Sequence, residues 1–350
     1  MTENRINQEN KEIVWDFWQK MNYAGLEGLE KVVRAKMHPD IAWFGPQPIN
    51  DLRGVDAVID GYWKPLYRSF PDLKRHCDVF LGSDCCAEYW VSACGYLTGT
   101  FKEDWLGIPA TGDKTNIHFG QHYRVEDGMI VENYLILDVI AVMRQAGFQV
   151  LPPARGAEGG KFLPPTTRDG VLLTEQDPLE TRKTRQLVTA MLDGMFRFDG
   201  KNLRTMEMEH YWHPNMHWYG PAGIGSCYSL EEFEDFHQRP WLQAFPDRGM
   251  TTPPGKARMI GIENNEILAE GKYAALGIWD VAFSHSRGPF RGVLPTGKVM
   301  TIRDFDWYRR EGDSLAQTWV PIDLIDIFMQ LGVNLFDRMQ QQIEERKIKP

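Results

Sequence analysis

Asp304, Asp306 and Tyr308 fall on every second residue of a β-rich stretch. Alternate residues of a strand share a face, so the three project together. If that face lines an enclosed aromatic space, two carboxylates stand in a poor solvent for charge. Desolvation and mutual repulsion then raise a pKa, and such a pair supplies one acid and one base. The competing reading puts both at the wet end of the strand, paired with Arg303 or Arg309. His285, in FSHSRGPFRG, shares strand parity with Trp279 and Phe283. It is a candidate general base for the same space, or a hydrogen-bonded rim residue. Asp306, Asp304 and His285 are therefore the candidate catalytic residues. Trp218, Tyr308 and Trp279, with Trp43, Gln121 and Tyr123 from the first half, are candidate substrate contacts, although core filling is the commoner role of such rings.

Other chemistries lack a pattern. His210, His213 and His217 are loosely spaced, with no Cys or carboxylate cluster to complete a metal site. There is no phosphate-binding glycine loop, nucleophile elbow or Cys–His pairing signature. The expectation is no metal and no cofactor. His118 and His122 have the opposite parity to Gln121 and are expected to face helices or solvent.

These residues sit in an internal repeat. HPDIAWFGP begins at His38 and HPNMHWYGP at His213, a shift of 175 residues that also aligns Phe70-Pro71-Asp72 with Phe245-Pro246-Asp247, and Gly25 with Gly200. Further on the shift is 185 residues: HYRVEDGMIVENYLILD, from His122, matches WYRREGDSLAQTWVPID, from Trp307. The difference implies an insertion of about ten residues in the second copy, with Met250 to Met259 as its natural place because Pro-Pro-Gly favours a turn. The unit is a duplicated domain: residues 1–150, a Pro/Gly-rich linker over 151–180, and residues 181–350.

Within the first copy, apolar spacing predicts helices over 10–24 and 26–37. A short strand follows over 41–45, a helix over 56–70, strands over 87–101, 115–125 and 129–137, and a helix over 138–146. Glu126-Asp127-Gly128 is a hairpin turn. Long antiparallel strands packed on helices make a cone whose open end is a natural small-molecule pocket.

The set HPD, FPD, GIPATG, YRVEDGMIVENYLILD and RQAG resembles the SnoaL-like polyketide cyclases, within the nuclear-transport-factor-2-like superfamily. The second copy repeats it more weakly. The resemblance implies an α+β fold of two tandem cone-shaped domains, each a curved antiparallel sheet on helices, forming an internal pseudo-dimer. A further homodimer of such pairs is the alternative assembly. It also implies a cofactor-free aldol cyclisation by a pocket Asp aided by a His. Carried over residue by residue, that Asp falls on Leu135 and Val320, which cannot move a proton. The helper His falls on Gln121 and Asp306, and a first-strand Asn on Trp43 and Trp218. The expected activity is acid–base chemistry on a small hydrophobic carbonyl or polyketide-like compound, as in a cyclase, dehydratase, isomerase or hydrolase. The alternatives are a non-catalytic binder of a small hydrophobic ligand, or a scaffold.

Composition sets the remaining bounds. The 350 residues carry a net charge of −9, and no basic stripe points to nucleic acid or membrane as a partner. The polar N-terminus lacks the apolar core of a signal peptide. The five cysteines lack zinc spacing and read as free thiols. A cytoplasmic location is the expectation.

Overall fold

The computed structural model describes residues 3–85, 87–159, 162–247, 258–263 and 266–348. The proposed insertion at Met250 to Met259, apart from its last two residues, lies outside them, as does Cys86.

Helix α1 (Glu3–Lys36) is two helical segments broken at Gly25, whose φ of 60° and ψ of −175° are non-helical. Such a backbone is open to glycine and strained for a side chain. Val14, Phe17, Trp18 and Met21 form its buried stripe. There follow β1 (Met37–Phe44), β2 (Leu52–Arg53) and α2 (Val55–Val58). A π-helical turn (Ile59–Trp63) leads into α3 (Lys64–Ser69). Strands β3 (Lys74–Cys85), β4 (Glu88–Thr100), β5 (Lys114–Glu126) and β6 (Met129–Leu137) precede α4 (Val139–Gln145).

The second copy repeats the order with α5 (Pro178–Met195), β7 (Trp212–Tyr219), α6 (Leu230–Phe233), a π-helical turn (Glu234–Gln238) and α7 (Arg239–Ala244). Its sheet continues through β8 (Arg258–Ile260), β9 (Ile262–Glu263), β10 (Glu266–Glu270), β11 (Tyr273–His285), β12 (Val299–Glu311) and β13 (Ser314–Trp319). Helices α8 (Leu324–Gln330) and α9 (Leu335–Ile348) end it.

Each copy is thus an α+β domain with one sheet. The strand orders are β2-β1-β6-β5-β4-β3 and β7-β13-β12-β11-β10-β9, with β8 on β11. Both sheets are mixed rather than purely antiparallel, because β1 runs parallel to β6 and β7 parallel to β13. β3, absent from the predicted elements, pairs with β4 along its whole length.

Local devices recur in both copies. The indole of Trp43 folds over Gly45, and that of Trp218 over Gly220, where a Cβ would stand 2.1 and 1.8 Å from the rings. Asp138 and Asp323 cap the following helices by accepting from the amides of Ala141 and Asp326.

The sheets pack face to face. Trp90, Cys94, Tyr134 and Ile136 of the first form one buried cluster with Trp279, Phe305, Trp307 and Trp319 of the second. The Trp307 indole donates to Ser92 Oγ at 2.9 Å. Lys11 reaches across to Glu270 at 2.5 Å. The Pro/Gly-rich segment straps both halves: Phe80 donates to the Gly170 carbonyl, and Trp319 Nε1 to the Leu163 carbonyl. Helix α9 returns to the first copy through Gln342 and the backbone of Gln149.

Candidate functional site

One face of β12 meets the first domain and the other faces its own helices. No irregularity interrupts the pairing of β12 with β11 between Asp304 and Tyr308, so alternation holds. Phe305 and Trp307 enter the interdomain cluster. Asp304, Asp306 and Tyr308 line a cavity of about 170 Å³. Its walls are apolar and aromatic, including Leu192 and Phe196, Trp212 and Trp218, Trp241 and Phe283. His237 stacks on Trp218 at 4.3 Å between ring centroids.

Arg303 and Arg309 lie on the opposite face and are already engaged. Arg303 pairs with Asp280 and Asp323, and Arg309 with Gln317 and Glu311. Neither neutralises the cavity pair. Burial, then the neighbouring Asp306 charge, pushes the Asp304 carboxyl well above its usual range. Its Oδ1 has no hydrogen-bond partner among the described residues. Burial raises Asp306 to about 7, against the lowering effect of a hydrogen bond from Tyr308. A carboxyl that keeps its proton beside one poised near neutrality is an acid–base couple.

Two of the expected second-copy residues are placed elsewhere. His285 does not line the cavity. Its imidazole is about two-fifths exposed, and its Nδ1 is held by Asp247, which also accepts from the His285 amide and Ser284 Oγ. It therefore belongs to a surface cap. Trp279 turns to the first domain and stacks near Phe305. The cause is an irregularity in β11 between Ile278 and Val281, where Asp280 has φ 51°. An added residue there reverses the alternation, so Leu276 and Ile278, and beyond them Phe283, face the cavity instead.

The first-copy candidates lie in a filled interior. Trp43 is buried against Tyr62. Tyr123 accepts from the Trp18 indole. Gln121 accepts from Arg75 and donates to Asn133, while the Arg75 guanidinium lies over Trp18 and Phe119. His122 faces neither helices nor solvent, whereas His118 lines a cleft beside α4. His118 stacks on Phe162 of the linker, and His122 on Trp307 of the second sheet.

The repeat shows why one interior is filled and the other open. Trp63 and Gln238 end the two π-helical turns at the 175-residue spacing. On α5 the buried positions Val188 and Met191 stand 174 residues after Val14 and Phe17, which aligns Trp18 with Leu192. Two indoles of the first copy are thus replaced by smaller side chains that line the cavity. Gln238, Leu192 and Thr318 were absent from the sequence-based site. The 175-residue shift is the signal that reaches Gln238.

A second cleft of about 210 Å³ lies between the domains, lined by His118, Asp138, Arg144 and Glu158. Its carboxylates are committed: Asp138 accepts from the amides of Ala141 and Ala222, and Glu158 from those of Ala154 and Gly223. Among the described residues no group of three or more His, Cys, Asp or Glu side chains could hold a metal ion. No described helix is long and apolar enough to cross a membrane.

The sequence profile of the SnoaL-like polyketide cyclases matches residues 15–146. The SnoaL-like match covers the copy with the filled interior, and the second copy repeats its element order. Similar solved structures include a protein assigned as a SnoaL-like polyketide cyclase from Jannaschia sp. CCS1, with 22% identity over 42% of this chain and 96% of that chain at a TM-score of 0.35. IdmH from Streptomyces antibioticus, assigned as a polyketide cyclase, has 20% identity over 39% and 97% at 0.32. AclR from Streptomyces galilaeus, assigned as a hydroxylase, has 20% over 42% and 86% at 0.35. The comparison with curated proteins found no match.

Proposed function

We propose that the second domain is an acid–base enzyme acting on a small hydrophobic carbonyl compound, with the first domain as its structural partner. The observation that carries this reading is the placement of Asp304 and Asp306 side by side in an apolar cavity, with no Lys or Arg among the described residues lining it. Asp306, poised near neutrality, takes a proton from the carbon next to the carbonyl. Asp304, which holds its proton, donates to the carbonyl oxygen as charge develops there. Tyr308 positions Asp306 through its hydroxyl. The resulting enol is the shared intermediate of aldol cyclisation, isomerisation and dehydration, and the scheme needs no cofactor.

The SnoaL-like resemblance puts the proton-carrying Asp at Val320. Val320 lines this same cavity. It lies between the cross-strand pairs Trp307–Trp319 and Asp304–Ile322, beside Asp306. The proton carrier has moved one strand across the same floor, a distance of about 5 Å between facing Cβ atoms.

The test uses exchange of the α-protons of 2-tetralone in D2O, followed by NMR. The full chain is expected to accelerate exchange, and Asp306→Asn to lose about a hundred-fold or more while keeping its circular dichroism. Equal rates in the two proteins would remove the enzymatic reading and leave binding without turnover.

A further inference from the structure

We infer that Gln238 reads the edge of the bound molecule, and that this molecule is a ring compound carrying a hydrogen-bond donor beside a carbonyl acceptor. The inference rests on the second cavity being the functional site, and it is independent of the proton chemistry of Asp304 and Asp306. Gln238 is 3% exposed and lines the cavity. Neither its Nε2 nor its Oε1 has a hydrogen-bond partner among the described residues. An unpaired buried amide is costly, and such groups call for a specific explanation, of which a missing ligand is one. Its carboxamide offers a donor and an acceptor side by side. The complement is an acceptor and a donor on neighbouring positions, as in a lactam.

Two further groups on the same walls define the rest of the ligand. Thr318 Oγ1, in a residue 1% exposed, and Trp212 Nε1, in one 4% exposed, also lack partners among the described residues. An indole N–H only donates, so at least one more acceptor is expected on the ligand. The apolar remainder of the cavity fits a ring. About 170 Å³ slightly exceeds the roughly 150 Å³ apolar cavity known to hold benzene, which sets the scale at one or two fused rings. Position 238 sits where the sequence makes a choice. At the equivalent end of the first π-helical turn stands Trp63, which packs on Tyr62 and Phe17. Single-turn π-bulges are frequent at functional sites.

The experiment compares 2-quinolone, whose lactam edge carries N–H beside C=O, with N-methyl-2-quinolone, by calorimetry on the full chain. The wild type is expected to bind 2-quinolone about ten-fold tighter or more, because N-methylation removes the N–H donor and leaves the buried Gln238 Oε1 unpaired. Gln238→Leu, and Gln238→Met as a second variant of similar size, are expected to bind the two probes alike. Asp306→Asn is expected to keep the preference, so a failure of the acid–base reading and a failure of this one are distinguishable. Equal binding by the wild type, a preference surviving in both Gln238 variants, or no binding of either probe would overturn the inference.

Discussion

Trp63 and Gln238 hold the same place in the two halves of the molecule. Each is the last residue of a π-helical turn and each is buried, but the indole fills its domain while the carboxamide lines a cavity. Exchanging their sizes should exchange the outcomes. Gln238→Trp is expected to abolish binding of 2-quinolone while the chain stays folded. Trp63→Ala is expected to cost about 3–5 kcal/mol of stability, as for other large aromatic deletions in a core. Denaturant titration checks the stability of both variants, and calorimetry on the folded Gln238→Trp chain checks the binding.

The cavity carboxylates should weaken the fold that holds them. In the unfolded chain Asp304 ionises near its ordinary value of 3.8, whereas in the folded chain its pKa is raised by burial. Stability is therefore lost as pH rises from about 4 towards neutrality. Asp304→Asn, which has no proton to lose, is expected to gain stability relative to the wild type as pH rises from about 4 to 7, and to show no such gain below pH 4. Melting curves at the two pH values test this.

The pH profile of proton exchange should follow Asp306. Rates are expected to rise as Asp306 loses its proton near 7. The Tyr308 hydrogen bond lowers that pKa, so Tyr308→Phe is expected to move the rising limb to higher pH. An unchanged limb would remove Tyr308 from its positioning role.

His122 makes the contact between domains sensitive to acid. Burial holds its pKa down to about 3, between Phe305 and Trp307. The unfolded chain takes up this proton near 6.5 and the folded chain does not, so stability falls as pH drops from 6.5 towards 3. The share due to His122 between pH 7 and pH 4.5 is on the order of 2 kcal/mol. His122→Phe is expected to lose that much less on acidification, measured by urea midpoints.

What could be read from the residues alone depended on strand regularity. β12 has no irregularity between Asp304 and Tyr308, so counting by twos found its cavity face. β11 is irregular at Asp280 and shifts register again between Ala282 and Ser284, so the same counting put Trp279 on the wrong side and failed once more before His285. β3 opens on Lys74, Arg75 and His76 and carries Gly82, a pattern with little strand signal. The repeat was legible because motifs such as HPDIAWFGP and HPNMHWYGP survive in both copies. The difference between a filled and an open interior was not. It arises from Trp18 facing Phe80 and Phe119, and Trp63 facing Phe17, contacts that only the fold brings together.

The assignment of the second domain turns on a proton held between Asp304 and Asp306 at neutral pH. Carbon-13 NMR of the full chain labelled at its aspartate carboxyls, titrated from pH 4 to pH 9, tests it directly. The expected result is a resonance that titrates near 7 in the wild type and is absent in Asp306→Asn, with a second resonance still protonated at that pH and lost in Asp304→Asn. Spectra in which neither substitution removes a resonance titrating above pH 5 would contradict the assignment.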